Sequence, residues 1–283
     1  MPKRTFAIVG LGLLGGSLAW AIRKKIPHAN VIGVSRNPNK IKYALKKKMI
    51  HRGFTNLRAA AASADLVVIC TPVDTVPKIV FDIDSAAHRK VLVTDVGSTK
   101  SEITKVIGRR KLKNAHFVGS HPLAGSHLTG VEHAKSDLFH KAIVFVTPGK
   151  NLSRQVIGEI SGFWKKLDAV VKITSPEKHD QIVSKVSHLP HAIAASLVQT
   201  VTNGTAPYAA AGFLDSTRIA QGDPRLWAPI FLSNRKNLLK DLNVFERNLK
   251  KLEALLKRLQ ARELAAFLKK ASVRRSKCCS HNS

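Results

Sequence analysis

Phe6-Ala7-Ile8-Val9-Gly10-Leu11-Gly12-Leu13-Leu14-Gly15 decides the fold. A short apolar β-rich run passes through three spaced glycines into a segment with helical periodicity. Such spacing is weak by itself and gains force from its strand–turn–helix setting. In that setting each glycine has a task. Gly10 permits the tight turn, Gly12 lets the backbone approach a pyrophosphate, and Gly15 brings helix close to strand. The helix N-terminus then offers free N–H groups and a positive dipole end, so Leu13 and Leu14 join the glycines as expected phosphate contacts.

Working outward, the runs Val31–Val34, Leu66–Cys70, Val91–Thr94, His116–Val118, Ile143–Val146 and Ala169–Ile173 repeat the strand signal. Helical spacing separates them, over Leu13–Lys25, Pro38–Lys48, Lys100–Arg110 and Leu152–Leu167. Strands alternating with helices give parallel βαβ units, so an α/β fold with a Rossmann-type, doubly wound, mostly parallel sheet is expected. The alternation stops near Thr174. Ser175-Pro176-Glu177 is a helix start with proline at the first helical position, and the remainder reads as helix. Leu238, Leu242, Phe245, Leu249, Leu252, Leu256 and Leu259 form one apolar stripe at spacings of four and three, suited to a second copy of the chain. The expected plan is a dinucleotide-binding domain over 1–173, an all-helical substrate and dimerisation domain over 174–272, and a basic tail without structure over 273–283. No added regulatory domain fits that plan.

Composition narrows the function classes. An apolar fraction of 44% over 283 residues suits soluble domains with a sizeable core. The three cysteines show no framework or zinc-type spacing, which points to a reducing, cytoplasmic setting and no metal. Lys3 and Arg4 before an apolar stretch imitate a secretory leader, but the glycines punctuate it as strand and helix. No run approaches a membrane span. The net charge of +29 usually indicates a polyanionic partner. Here the basic residues are spread along the chain without a nucleic-acid motif, so nucleic acid is not the expected partner.

Ser35 stands twenty residues past Gly15, where an NAD enzyme usually places an acidic residue for the ribose 2′-hydroxyl. Between Ile26 and Phe81 the only carboxylates are Asp65 and Asp74, both too far along. Ser35 and Arg36 instead suit a 2′-phosphate, which favours NADP, with NAD as the alternative if Arg36 is a solvated loop residue. Cys70-Thr71-Pro72 and Asp95 close the next two strands at the ligand-bearing edge and are expected to border the cofactor.

Three clusters go beyond a generic dinucleotide fold: Asp95-Val96-Gly97-Ser98-Thr99-Lys100, His121-Pro122-Leu123-Ala124-Gly125 and Ser187-His188-Leu189-Pro190-His191. Together with Ser216-Thr217-Arg218-Ile219-Ala220, in this order, the chain resembles the prephenate/arogenate dehydrogenase family from the glycine loop to about Leu249. The resemblance implies oxidative decarboxylation of prephenate, or alternatively arogenate, by a homodimer. It makes His121 the histidine that hydrogen-bonds the ring C4 hydroxyl and Ser98 the serine near that hydroxyl and the nicotinamide. A neutral imidazole suits loss of the hydroxyl proton near pH 7. Ser98 or Ser101 could also simply cap the following helix. Arg218 matches the arginine that pairs with a substrate carboxylate, and Asp215 is near enough in sequence to hold it or to act as a cap. His188 and His191, three apart, share a helical face, and the second helps position prephenate in the family. Ser126 and His127 fall beside the substrate, His127 standing where some relatives carry a glutamate.

Two other classes share parts of this pattern. Reductases of 2-oxo acids or imines have the same plan but typically use a lysine or glutamate in the helical part. A non-catalytic basic NADP-binding protein would bind any duplex in a salt-sensitive way and be indifferent to His121.

Overall fold

The computed structural model describes residues 4–125, 128–150 and 152–279. Its strands are β1 (Thr5–Val9), β2 (Asn30–Val34), β3 (Arg52–Phe54), β4 (Leu66–Ile69), β5 (Val91–Asp95), β6 (Ala115–Pro122), β7 (Ile143–Pro148) and β8 (Val170–Ile173). They form one sheet in the order β3-β2-β1-β4-β5-β6-β7-β8. Every neighbouring pair runs parallel except β6 with β7. The helices among them are α1 (Leu13–Lys25), α2 (Pro38–Lys46), α3 (Leu57–Ala61), α4 (Val76–Ala86), α5 (Ser101–Ile107) and α6 (Arg154–Lys165).

Both faces of the sheet are covered, as an almost wholly parallel sheet requires. Alternate residues of β1 point to opposite sides: Phe6 and Ile8 join the core that includes Leu18 and Ile22 of α1. Ala7 and Val9 join the one that includes Val76, Val80 and Ile83 of α4. Strand order reverses between β1 and β4, so the ligand crevice of such folds opens at their carboxyl ends, at Gly10 and Cys70.

After β8, Ser175 caps α7 (Pro176–Val183) by accepting from Lys178 N–H at 3.1 Å. A π-helical turn over Ser184–His188 leads into α8 (Leu189–Val198), followed by α9 (Ala211–Thr217) and α10 (Pro224–Ser233). Pro190 explains the wide turn: it has no N–H to return to the preceding turn, so α-helical spacing is interrupted just before it. Compactness does not break at 173/174, where the strand–helix pattern changes. One unit spans Met1–Arg235 and a second spans Lys236–Ser283. α7 and α10 are tied to the sheet domain through Asp180 and through Ser233, whose hydroxyl donates to Thr99 Oγ1 at 2.9 Å.

The second unit carries all but the first residue of α11 (Arg235–Lys257), and α12 (Ala261–Cys279). The tail expected to lack structure from Val273 is helical through Cys279. The reason is local: Ala261–Cys279 contains neither glycine nor proline, and Lys277 in the last turn complements the negative C-terminal end of the dipole. Of the leucine stripe, Leu249, Leu256 and Leu259 remain 48%, 53% and 89% exposed.

Candidate active site

The glycine loop has the shape its sequence requires. Gly10 sits at φ +97°, and a Cβ there would lie 2.9 Å from the Cys70 carbonyl oxygen and from Thr71 Cγ2. A Cβ on Gly15 would collide with the Gly10 carbonyl oxygen. At Gly12, by contrast, a Cβ would meet nothing within 4 Å. That open space faces a helix start whose cap residue, Gly12 itself, supplies no side-chain acceptor for the first-turn N–H groups. A glycine-lined opening at an uncapped helix N-terminus fits a pyrophosphate. Leu13 and Leu14 open that helix, and Cys70, Thr71 and Pro72 line the neighbouring strand end. Burial pushes the Cys70 thiol far up, so it stays protonated and inert.

Gly10 N–H donates to the Val34 carbonyl at 2.8 Å, which sets the end of β2 beside the loop. Ser35 Oγ accepts from Asn37 N–H at 3.2 Å, and Arg36 is exposed with no hydrogen bond or ion pair among the described residues. Asp95 is wholly buried, and both its carboxylate oxygens are engaged internally. One accepts from Ser120 N–H at 3.0 Å; the other accepts from Gly97 N–H at 2.9 Å and from Lys100 Nζ. The Asp95 carboxylate, expected to border the cofactor, is thus taken up by partners within the protein.

His121 lies in β6, rather than after it, at the same carboxyl edge as the glycine loop. From β1 to β6 is three inter-strand steps, about 14 Å. Its ring is 8% exposed, and Nδ1 lies 2.9 Å from His179 Nε2. His179 Nδ1 in turn lies 2.7 Å from Asp180 Oδ1. Burial, with His179, Lys100 and His188 nearby, holds the His121 pKa well below the usual histidine value, so the ring is neutral at pH 7. Burial raises the Asp180 carboxyl, but hydrogen bonds from His179 and from the Ser101 and Lys100 N–H groups outweigh it and hold the pKa below the usual range.

Those N–H bonds also correct the expected cap. Lys100 N–H and Ser101 N–H donate to the two Asp180 oxygens at 2.8 and 2.9 Å, so a residue from α7 caps α5. Neither Ser98 nor Ser101 serves as that cap. Ser98 is half-buried on the β5–α5 loop.

Asn234 joins the second pair of histidines to this network. Its amide nitrogen donates to the Asp180 carbonyl at 2.8 Å and lies 3.1 Å from His188 Nδ1. An amide donor requires His188 Nδ1 to accept, which puts the His188 proton on Nε2. That Nε2 is buried and without a partner among the described residues, as is His191 Nδ1. Burial lowers the His188 pKa to about 4 and lowers that of His191 as well. The His191 ring stacks on Trp227 at 3.6 Å between centroids. Two orphaned ring nitrogens in a buried pocket are costly unless a ligand meets them. Arg218 starts a 3₁₀ turn that packs on α8, the helix of His191, and its side chain is exposed. Among the described residues neither Arg218 nor Asp215 makes a hydrogen bond or ion pair, so Asp215 does not hold the arginine in place. Ser126 and His127 lie outside the described residues.

His179, Asp180, Asn234, Trp227 and Lys100 carry much of this arrangement, and sequence reasoning gave none of them a role. One signal was available. Pro176, His179, Asp180 and Val183 form the buried stripe of α7, and a His-Asp pair on a buried stripe has to be paid for by partners.

A dinucleotide crevice with a neutral, buried histidine at the same sheet edge defines a nicotinamide-dependent dehydrogenase. Family models described as "Prephenate dehydrogenase, nucleotide-binding domain" and "Prephenate dehydrogenase, dimerization domain" match residues 18–173 and 175–270. The chain belongs to the prephenate dehydrogenase family. It is 34% identical to a prephenate dehydrogenase of Bacillus subtilis (strain 168) over 276 residues, 95% of this chain and 74% of that protein. Among solved structures, A. aeolicus prephenate dehydrogenase in complex with hydroxyphenyl propionate and NAD+ superposes with a TM-score of 0.90. It shares 32% identity, covering 98% of this chain and 99% of that one. Synechocystis arogenate dehydrogenase gives 0.82 at 28% identity, covering 96% and 99%.

Proposed function

We propose that the chain oxidatively decarboxylates prephenate to 4-hydroxyphenylpyruvate, for tyrosine biosynthesis, with NADP+ as the preferred acceptor. The observation that carries this reading is the neutral, buried imidazole of His121 at the dinucleotide edge. Gly10, Gly12 and Gly15 with the Leu13 and Leu14 N–H groups would hold the pyrophosphate. When bound, the nicotinamide supplies the acceptor for hydride from ring C4. As that hydride leaves, the C4 hydroxyl must lose its proton, and His121 accepts it. Loss of the ring carboxylate as CO2 makes the ring aromatic and drives the reaction. Ser98, freed from capping, orients the hydroxyl. The His188 Nε2–H donor and the unpaired Arg218 guanidinium anchor carboxylates, and His191 on its Trp227 platform completes the pocket.

Arogenate is the second reading, supported by the likeness to the Synechocystis enzyme. Homodimerisation is supported by the exposed Leu249, Leu256 and Leu259 and by the description of the C-terminal family model. No helix among the described residues is long and apolar enough to cross a membrane, and Cys70 and Cys278 are free thiols, which supports a cytoplasmic setting.

The test crosses prephenate and arogenate with NAD+ and NADP+, following absorbance of the reduced nicotinamide and release of CO2. Turnover is expected to be fastest with prephenate and NADP+. No turnover in any of the four combinations overturns the reading.

The cofactor preference rests on Ser35 and the unpaired Arg36, which suit a 2′-phosphate. Ser35→Asp with Arg36→Ala is expected to move the ratio of kcat/KM values at least tenfold toward NAD+. An unchanged ratio would mean that the phosphate is read elsewhere.

A further inference from the structure

We infer that Asp180 and His179 are positioning residues that place the single proton of His121 on Nδ1, leaving Nε2 bare as the base. The inference deepens the proposed reaction and rests on it for the identity of the proton donor. The Asp180 carboxylate already accepts from Lys100 N–H at 2.8 Å and Ser101 N–H at 2.9 Å, and an ionised carboxylate can only accept. At 2.7 Å from it, His179 Nδ1 must therefore be the donor. A neutral imidazole with its proton on Nδ1 has only a lone pair at Nε2. The 2.9 Å contact with His121 then requires His121 Nδ1 to donate. The sequence of bonds leaves one proton arrangement for both rings.

The arrangement is expensive to build, which argues for a use. His179 is 0% and Asp180 1% exposed, so a carboxylate and an imidazole are withdrawn from water together. Capping α5 does not require His179, and holding α7 to the sheet does not require a ring between Asp180 and His121. What the extra ring provides is direction. As His121 gains the hydroxyl proton on Nε2, its Nδ1–H is already aimed at His179, and the positive charge is stabilised by Asp180 beyond it. A carboxylate that fixes a histidine tautomer is worth about 10⁴ in kcat in serine-protease triads, where its amide replacement leaves geometry intact but the wrong nitrogen protonated.

The decisive measurement is two-bond ¹⁵N–¹H correlation spectroscopy of the ¹⁵N-histidine-labelled full chain, with His121 assigned by its disappearance in His121→Asn. The wild type is expected to show His121 protonated on Nδ1 and bare at Nε2. A proton on Nε2 overturns the inference, and this spectrum needs no variant at position 180. In Asp180→Asn the single amide oxygen accepts from Ser101 N–H, which keeps part of the α5 cap, and the NH2 faces His179 Nδ1 in place of the carboxylate oxygen. The substitution is expected to move the His121 proton to Nε2 and lower kcat by about 10²-fold or more, with KM within a few-fold. An unmoved proton, or an unchanged kcat, also overturns it. Should the wild type carry the Nδ1 proton but turn over neither substrate, the proposed reaction falls and the proton placement stands.

Discussion

Replacing His121 with asparagine is expected to lower kcat by about 10²–10⁴-fold, the usual contribution of a positioned proton acceptor. The expectation rests on environment as much as on residue type. Burial above all disfavours a positive charge on the ring, and the Lys100 ammonium adds to this, so it is neutral across the physiological range. Asparagine can still hydrogen-bond a hydroxyl but cannot take its proton, so the loss should fall on kcat with KM within a few-fold. Steady-state kinetics with prephenate checks this, and turnover near wild type would remove His121 from the chemistry. The same burial sets the acid limb of the wild-type kcat profile well below pH 6.5. It also sets a sign for stability. His121, His179, His188 and His191 all have lowered folded-state values, so below about pH 6.5 the unfolded chain binds protons that the folded chain refuses. Stability should therefore fall as pH drops through that region, measurable by urea unfolding at a series of pH values.

What was legible in the sequence follows the range of the interactions. The β1–loop–α1 unit is written in contiguous residues, and α1 begins and ends where its periodicity does, at Leu13 and Lys25. β3 was not legible. It is three residues long, contains Gly53, and owes its existence to pairing with β2 rather than to any pattern of its own. The apolar run that signals β6 stops at Val118. Antiparallel pairing with β7 extends the strand through His121 and Pro122. The site divides in the same way. Gly10, Gly12, Gly15 and His121 announce themselves locally. The relay does not, since it joins residues 58 positions apart across a sheet edge and a helix. Asp180 supplies the cap that Ser98 and Ser101 were equally suited to supply, and only the fold chooses between them.

The buried ion pair beneath the site gives the largest expected loss of stability. Lys100→Met should cost about 3–5 kcal/mol, because it strands the Asp95 carboxylate at 0% exposure. Two N–H donors remain to that carboxylate, from Gly97 and Ser120, which places the expectation at the lower end of the range. Methionine keeps the unbranched stem and the backbone N–H that Asp180 accepts, so the change removes the ammonium and its hydrogen bonds while leaving the cap. Adding Asp95→Asn removes the stranded charge and should recover part of the loss, giving a coupling above about 1 kcal/mol in a double-mutant cycle. Urea midpoints at fixed protein concentration would measure it, since the proposed dimerisation would make stability concentration-dependent. Additive effects would mean that the pair is not compensating itself. The pair also bears on the chemistry. Lys100 Nζ donates to the Ser120 carbonyl at 2.9 Å, Asp95 accepts from Ser120 N–H, and Trp164 Nε1 donates to Ser120 Oγ at 3.0 Å. Ser120 is thus held from three directions, one residue before His121. A base that must meet a hydroxyl within hydrogen-bond distance needs a backbone this fixed. Lys100→Met should therefore lower kcat even where the chain remains folded.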